Sequence, residues 1–127
     1  MNSARLEHVN VTVTDPQRTA DLLCGLFGWH VRWAGPSQMG GNTVHVGNDD
    51  CYLALYTPGA TRPFDGSAQA AAGGLNHVAV VVDDLDATAA RIHDAGIETF
   101  NHAAYEPGRR FYFRDPDGVE YEVVSYA

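Results

Sequence analysis

Residues 6–13 of this chain read LEHVNVTV, and residues 75–82 read LNHVAVVV. With the shift of 69 positions that superimposes them, eight of the fifteen residues over 6–20 are identical in the two copies. Chance gives about one identity over such a stretch, so the sequence indicates an internal duplication. The alternative to duplication is that two strand-helix segments converged independently on a similar composition. The coincidence of His8 with His77 favours duplication.

Each copy predicts a β-strand followed by an α-helix. In the first copy, Val9, Val11 and Val13 alternate with polar residues, which is the two-residue period of a strand with two different faces. Asp15 then offers an N-cap oxygen, and Pro16 occupies the first helical position, where its missing N–H costs nothing. The second copy has the same order of signals, so we expect a helix directly after each strand.

Three further extended segments are predicted after each helix, at about 29–34, 43–46 and 52–56 in the first half and 98–103, 109–113 and 119–125 in the second. The predicted fold class is therefore α+β, with two tandem βαβββ modules in one domain over residues 1–127. Module 1 spans about 4–57 and module 2 about 75–127. The Pro-, Gly- and Ala-rich stretch 58–74 between them is expected to be a linker loop, with a mobile lid as the alternative.

Composition excludes several classes of protein. The chain has 127 residues, is 45% hydrophobic, and carries 8 basic against 16 acidic side chains, a formal charge of −8. That acidic balance disfavours nucleic-acid binding, and no apolar run approaches the roughly 20 residues of a membrane span. The first residues lack the pattern of a secretory signal, and two cysteines are too few for a disulfide framework. We expect a soluble cytoplasmic protein with no nucleic-acid or membrane partner.

The duplication also singles out candidate metal ligands. His8 aligns with His77, and a shift of 68 positions in the last hairpin aligns Ala54 with Glu122. Two imidazoles and one carboxylate leave coordination positions open for water or substrate, and they suit Fe, Mn, Ni, Co or Zn without selecting among them. We therefore predict that His8, His77 and Glu122 bind one divalent metal ion. For each histidine alone, an ordinary hydrogen-bonded strand residue is the alternative.

Three segments carry a family resemblance: LEHV at 6–9, GLNHVAV at 74–80 and FRDPDGVEYEV at 113–123. The chain resembles the vicinal-oxygen-chelate (VOC) superfamily, which includes glyoxalase I, extradiol dioxygenases, fosfomycin resistance enzymes and bleomycin resistance proteins. The resemblance covers essentially the whole chain. It implies paired βαβββ modules that form a curled, mixed but mostly antiparallel sheet around a metal cleft, and it implies a homodimer.

One ligand position departs from the family pattern. Glyoxalase I has a Glu or Gln where this chain has Ala54, whose methyl group can neither bind a metal nor accept a proton. The remaining ligands resemble the His-His-Glu set of extradiol dioxygenases, although the better-known extradiol enzymes are longer. The resemblance therefore implies a metal-dependent enzyme whose small substrate chelates the ion through vicinal oxygens, with dioxygenase-like or glyoxalase-like lyase or isomerase chemistry. A non-catalytic protein that sequesters a small molecule, of the bleomycin-resistance type, is the alternative.

Other residues are candidates for contacts with the substrate. The predicted pairing of the third strand with the fourth puts His45 opposite Tyr52, on the face that also carries Ala54 and Tyr56. His45 is then a candidate catalytic base, a substrate hydrogen-bonding group or a substitute ligand, with an exposed strand histidine as the alternative. By the same alternation, Asn10 shares the face of the first histidine and is a candidate pocket residue.

Tyr105, Arg109 and Arg110 flank Pro107-Gly108 near the strand that leads into the last hairpin, and Arg109 is the arginine that we select as a candidate. An arginine there is suited to bind an anionic substrate through paired hydrogen bonds, and a solvated charge at the rim is the alternative. His30, His93 and His102 are expected at the surface, with no assigned role.

Overall fold

A computed structural model describes residues 2–38, 40–105 and 107–127 of the chain. Its elements follow the order βαβββ twice, which confirms the predicted α+β fold class of two tandem modules. The first set is β1 His8–Thr12, α1 Pro16–Phe27, β2 His30–Pro36, β3 Asn42–Gly47 and β4 Tyr52–Thr57. The second is β5 Val78–Val81, α2 Leu85–Asp94, β6 Thr99–Tyr105, β7 Gly108–Arg114 and β8 Glu120–Ser125. Neither of these two helices has the length and apolar character that crossing a bilayer requires.

The chain divides into two compact units, unit 1 over residues 1–62 and unit 2 over residues 63–127. Unit 1 contains a four-stranded sheet in the order β1-β4-β3-β2, and unit 2 contains one in the order β5-β8-β7-β6. In each sheet the first strand runs parallel to its neighbour, and the other two pairs are antiparallel. Both sheets are therefore mixed and mostly antiparallel.

Strand register reproduces the duplication at the level of single residue pairs. Asn10 lies opposite Ala54 in unit 1, and Ala79 lies opposite Glu122 in unit 2. Asn10 and Ala79 are 69 positions apart, and Ala54 and Glu122 are 68 positions apart, which are the two shifts that align the copies in the sequence. The position equivalent to Glu122 in unit 1 is therefore the buried Ala54.

Helix α1 begins and ends where its sequence signals predict. The Asp15 side chain accepts a hydrogen bond from the Arg18 N–H at 3.2 Å, and Pro16 is the first helical residue. Gly28 ends the helix at φ +70°, and its N–H donates to the Cys24 carbonyl at 3.0 Å. The helix packs its buried stripe, Ala20, Leu23 and Leu26, on the sheet of unit 1. Full burial of one such leucine stabilises the fold by roughly 1.5–3 kcal/mol.

A buried carboxylate holds the turn between β7 and β8. Asp115 Oδ1 accepts hydrogen bonds from the Asp117 and Val119 N–H groups at 2.9 and 3.0 Å, and its Oδ2 accepts one from the Tyr121 hydroxyl at 2.9 Å. Gly118 follows at φ +84°, a conformation that side-chain-bearing residues rarely adopt. Burial raises the pKa of Tyr121, so its hydroxyl stays protonated and donates to the carboxylate. The turn therefore fixes the start of β8 and the direction of its side chains.

Candidate metal and substrate site

Glu122 is the centre of a polar cluster in unit 2. Its side chain is buried, with 8% of the residue exposed. Its Oε1 lies 3.2 Å from Nε2 of His77 and accepts a hydrogen bond from the Tyr112 hydroxyl at 2.9 Å. Its Oε2 accepts a hydrogen bond from Nη1 of Arg110 at 3.2 Å. Two hydrogen-bond donors and one imidazole nitrogen therefore surround one buried carboxylate.

The register of β7 and β8 explains this cluster. Tyr112 lies directly opposite Glu122, and Arg110, two residues earlier on β7, points to the same face. The guanidinium of Arg110 also stacks over the ring of Tyr105 at 4.8 Å. Burial raises the pKa of Tyr112, and so does its bond to Glu122, so the phenol remains a donor. The face carries both a carboxylate and a cation held against it.

The geometry at Glu122 fits a metal ligand. Two neighbouring ligands that each lie about 2.1 Å from one ion are about 3 Å apart, and Nε2 of His77 lies 3.2 Å from Oε1 of Glu122. Ligating carboxylates are themselves held by outer hydrogen-bond donors, and Arg110 and Tyr112 would have that role if Glu122 bound an ion. His77 and Glu122 are thus arranged as two ligands of a single ion would be.

The corresponding histidine of unit 1 has an acidic partner. Nδ1 of His8 donates to Oε1 of Glu7 at 2.8 Å, and the hydroxyl of Tyr52 donates to the same oxygen at 3.2 Å. These two bonds lower the pKa of Glu7, which stays ionised. Because Nδ1 donates to a carboxylate, a neutral His8 imidazole would carry its lone pair on Nε2, the atom that can bind a metal. The ring also stacks on Tyr52, with centroids 4.9 Å apart.

His45 lies opposite Ala54, so the predicted pairing with Tyr52 is wrong by two residues. The reason is the turn. Asn48 accepts hydrogen bonds from the N–H groups of two residues within it, so the loop spans 48–51 and Gly47 pairs with Tyr52. Because side chains alternate with a period of two, the error leaves His45 on the predicted face.

The ring of His45 is part of an aromatic row. It stacks on Tyr52 at a centroid distance of 4.5 Å and contacts Trp33 at 5.1 Å. Partial burial lowers the pKa of His45, and the nearby His8 and Arg32 lower it further. The imidazole is therefore neutral at physiological pH, with a nitrogen lone pair that can accept a proton or bind a metal.

The other predicted contact residues separate into two groups. Asn10 and His45 lie on either side of Ala54, the first on β1 and the second on β3. Tyr56 is two residues after Ala54 on β4, so its side chain is on the same face as that of Ala54. Tyr105, 59% exposed, is on the face of Glu122. Arg109 is not, because it points to the α2 side of the sheet and pairs with Asp86 of that helix at 2.9 Å.

Sequence reasoning missed three residues of these clusters, Glu7, Arg32 and Tyr112, and it considered Arg110 but selected Arg109. Glu7 and Arg32 belong to unit 1, where the guanidinium of Arg32 lies 4.5 Å from the centroid of the Tyr52 ring. Arg110 and Tyr112 belong to unit 2. Once the register that places Tyr112 opposite Glu122 is known, strand alternation selects Arg110 over its neighbour. No sequence signal identifies Arg32, because an irregularity between residues 31 and 33 of β2 sets its direction.

Each unit contains only part of the predicted ligand set. His8 belongs to unit 1, whereas His77 and Glu122 belong to unit 2. Within the residues that the structure describes, no three His, Cys, Asp or Glu side chains are gathered as they would be around a metal ion. The binding of one ion by all three residues therefore stays a prediction.

The chain belongs to the Glyoxalase/Bleomycin resistance protein/Dioxygenase superfamily, whose sequence profile matches residues 5–123. The uncharacterized protein YaeR of Escherichia coli (strain K12) is 25% identical to it over an alignment of 133 positions that covers 95% of each chain.

Solved structures share the fold at low sequence identity. A glyoxylase/bleomycin resistance protein/dioxygenase domain from Frankia sp. EAN1pec superimposes with a TM-score of 0.81 at 21% identity, covering 98% of this chain and 93% of that one. The fosfomycin resistance protein FosX of Listeria monocytogenes, solved with Mn(II) and a sulfate ion, superimposes with a TM-score of 0.74 at 17% identity. That match covers 98% of this chain and 93% of FosX.

Proposed function

We propose that this protein is a divalent-metal-dependent enzyme of the VOC superfamily, with His8, His77 and Glu122 as the metal ligands. The observation that carries this proposal is the pair formed by Nε2 of His77 and Oε1 of Glu122, 3.2 Å apart. The outer donors Arg110 and Tyr112 support it, because a buried carboxylate held from behind is prepared to bind a cation. The Mn(II) in the structure of FosX from Listeria monocytogenes also favours a divalent ion.

The bound ion would act as a Lewis acid that stabilises negative charge on two vicinal oxygens of a small substrate. His45 is the proposed base, because its neutral imidazole lies on the face of Ala54, where no carboxylate is available. Asn10, Tyr52 and Tyr56 share that face and are proposed to contact the substrate. Dioxygenase-like chemistry and lyase or isomerase chemistry both fit this arrangement, with Fe, Mn, Ni, Co or Zn as the metal.

Arg110 replaces Arg109 as the proposed anchor for a negatively charged substrate group. It lies on the face of Glu122, whereas the charge of Arg109 is paired with Asp86. A guanidinium has five N–H donors, and the hydrogen bond to Glu122 uses only one of those on Nη1, so donors on the terminal nitrogens remain for a substrate. The ring of Tyr105, which stacks on it, would complete this part of the pocket.

A non-catalytic protein that sequesters a small molecule is the second candidate. Ala54 at the fourth ligand position favours it, as does the row of rings from Trp33 through His45 to Tyr52. Cobalt-substituted protein separates the two functions. If the metal binds the vicinal oxygens of the substrate, the visible absorption bands of Co(II) should change when catechol is added. The same bands should disappear when a chelator removes the metal. Catechol binding that is indifferent to the chelator would support sequestration and overturn the metal-dependent function.

The whole chain is proposed to form one VOC domain and to act as a cytoplasmic homodimer. Family membership supports the dimer. The free thiols of Cys24 and Cys51 are compatible with a reducing compartment. Sedimentation equilibrium should give twice the monomer mass, and a monomer at micromolar concentration would contradict the proposed dimer.

Glu7→Ala should weaken metal binding without removing it. The carboxylate orients His8 through its 2.8 Å bond to Nδ1, and loss of such an outer partner typically costs about 10–100-fold in metal affinity. Competition with a chromogenic chelator measures the change. Glu7→Gln, which still offers an oxygen to Nδ1, should retain more of the affinity than the alanine variant. Equal affinities of wild-type and Glu7→Ala protein would exclude this positioning role.

His45→Gln should leave the content of the proposed catalytic site at one ion per chain. Glutamine keeps much of the volume of the ring but cannot act as a base near neutral pH. As the proposed base, His45 is not needed to hold the ion, so metal analysis should match the wild-type value. A metal content that falls to near zero would instead make His45 the substitute ligand for the position of Ala54.

A further inference from the structure

Two exposed histidines of unit 2 are tied to one hydroxyl group. The hydroxyl oxygen of Thr99 lies 3.1 Å from Nε2 of His93 and 2.9 Å from Nε2 of His102. The two imidazole nitrogens are therefore no more than about 6 Å apart. His93 is in the last turn of α2, and the other two residues are on β6. None of these residues belongs to the cluster around Glu122.

An irregularity in β6 creates this pair. In a regular strand, residues three apart point to opposite faces, so Thr99 and His102 would be separated. Asn101 has a φ of +53°, and no other non-glycine residue that the structure describes has a positive φ. The register of β6 with β7 shifts between residues 100 and 103. The extra residue turns His102 towards the α2 face, where its ring stacks on Phe111 at 5.4 Å.

The position favours a cation. The pair lies at the C-terminal end of α2, where the helix dipole leaves partial negative charge. The net charge of the chain is −8, which adds a weak attraction. Two imidazole nitrogens that already converge on one oxygen need only small side-chain rotations to converge on an ion with the size of a first-row transition metal.

We propose that His93 and His102 form a second metal site, separate from the one that includes Glu122. It would bind a divalent transition ion that prefers imidazole, with Cu(II) and Ni(II) ahead of the weaker Mn(II), and with water in the remaining positions. Bound there, the ion would join α2 to the edge strand β6. The observation that carries this site is the convergence of both Nε2 atoms on Thr99.

Calorimetric titration with Ni(II) tests the site on metal-stripped protein without a polyhistidine tag. The Glu122→Gln variant is the background, because it removes the ligand on which the proposed catalytic metal depends. This variant should bind one equivalent of Ni(II). Adding His93→Gln or His102→Gln should abolish that binding or weaken it at least ~10-fold. His30→Gln is the matched control and should change nothing, since His30 is an exposed histidine of unit 1 whose Nε2 lies 3.8 Å from Asp49.

A measurement on the unmutated chain covers the case in which a substitution disturbs the fold. Cu(II) broadens the NMR signals of nearby amides, and the broadening should centre on His93, Thr99 and His102. Absence of Ni(II) binding in the Glu122→Gln background, an equal loss on His30→Gln, or broadening centred elsewhere would each overturn the site. Failure of the proposed catalytic metal would appear separately, as a wild-type protein without any binding that depends on Glu122.

Discussion

Glu122→Gln should abolish metal binding at the proposed catalytic site while the protein stays folded. Its carboxylate supplies the one negatively charged ligand of the set, and an amide oxygen is a far weaker donor to a divalent ion. The loss in affinity should exceed the roughly 10–100-fold that removal of an outer-shell partner costs. Chelator competition with Mn(II) or Co(II) measures it, and a circular dichroism spectrum checks the fold.

The choice of substitution matters because Glu122 also pairs with Arg110, whose side chain is only 14% exposed. An alanine would leave that guanidinium buried without its counter-ion, a change that costs roughly 3–5 kcal/mol of folding free energy. Glutamine still offers an oxygen to Arg110, and its amide N–H can donate to the Tyr112 hydroxyl oxygen, so both polar neighbours keep a hydrogen-bond partner.

Glu120→Gln is the matched control. Glu120 is on the same strand and the same face, its side chain is buried to a similar extent, and it pairs with Arg114 at 3.0 Å. The Oε2 atom of Glu120 lies 3.9 Å from Nδ1 of His77, whereas the proposed metal-binding nitrogen of that ring is Nε2. This variant should keep most of the metal affinity. If both glutamine variants bound metal as the wild type does, Glu122 would not be a ligand.

Asp115→Ala should be among the most destabilising single changes in unit 2. It removes the acceptor of three hydrogen bonds, so two backbone N–H groups and the hydroxyl of the buried Tyr121 lose the bond that this carboxylate accepts. Each buried donor without a partner costs about 1–3 kcal/mol, so the free energy of unfolding should fall by roughly 3–5 kcal/mol. Urea unfolding followed by fluorescence gives this value directly.

Tyr121→Phe isolates one of the three bonds. It removes only the hydroxyl that donates to Asp115 at 2.9 Å, and the ring can still stack on Phe113. The loss should be about 1–2 kcal/mol, clearly smaller than for Asp115→Ala. A decrease below about 1 kcal/mol for Asp115→Ala would mean that the turn is held by other contacts.

The two units have diverged at equivalent positions of the predicted site. His45 lies opposite Ala54, and Tyr112 lies opposite Glu122, so the histidine and the tyrosine are equivalent. In unit 2 this position supports a carboxylate through a hydrogen bond. In unit 1 the carboxylate is absent, and the imidazole retains a lone pair for the proposed proton transfer. Duplication followed by divergence would thus provide a ligand from one unit and a base from the other.

Much of the fold could be predicted because the signals are local. Alternating valines marked β1, the Asp15-Pro16 pair marked the start of α1, and one shift in the sequence related both modules. The register of β3 on β4 could not be predicted to the residue. It depends on the side-chain bonds of Asn48 within the turn, and an apolar pattern of period two fits registers that differ by two residues equally well.

The partners of the site residues were beyond prediction for a different reason. Sequence spacing identified Glu122, but its buried contacts with Arg110 and Tyr112 join two strands whose register must first be known. The sequence analysis selected Arg109 instead of Arg110 as the substrate anchor. Adjacent residues of a strand point to opposite faces of a sheet, so this selection placed the anchor on the wrong face. Asparagine is enriched at positive φ, but one asparagine does not fix where a strand becomes irregular, and the irregularity at Asn101 determines where His102 points.

The metal content of the natively purified protein tests the central claim most directly. The protein is grown without added metals and without a polyhistidine tag, and it is analysed beside His77→Ala in a background that carries His93→Gln and His102→Gln. We predict close to one ion per chain in the background protein and close to none after His77→Ala. No metal in either protein, even after reconstitution with each of Fe, Mn, Ni, Co and Zn, would contradict metal-dependent function, and so would a content that His77→Ala leaves unchanged.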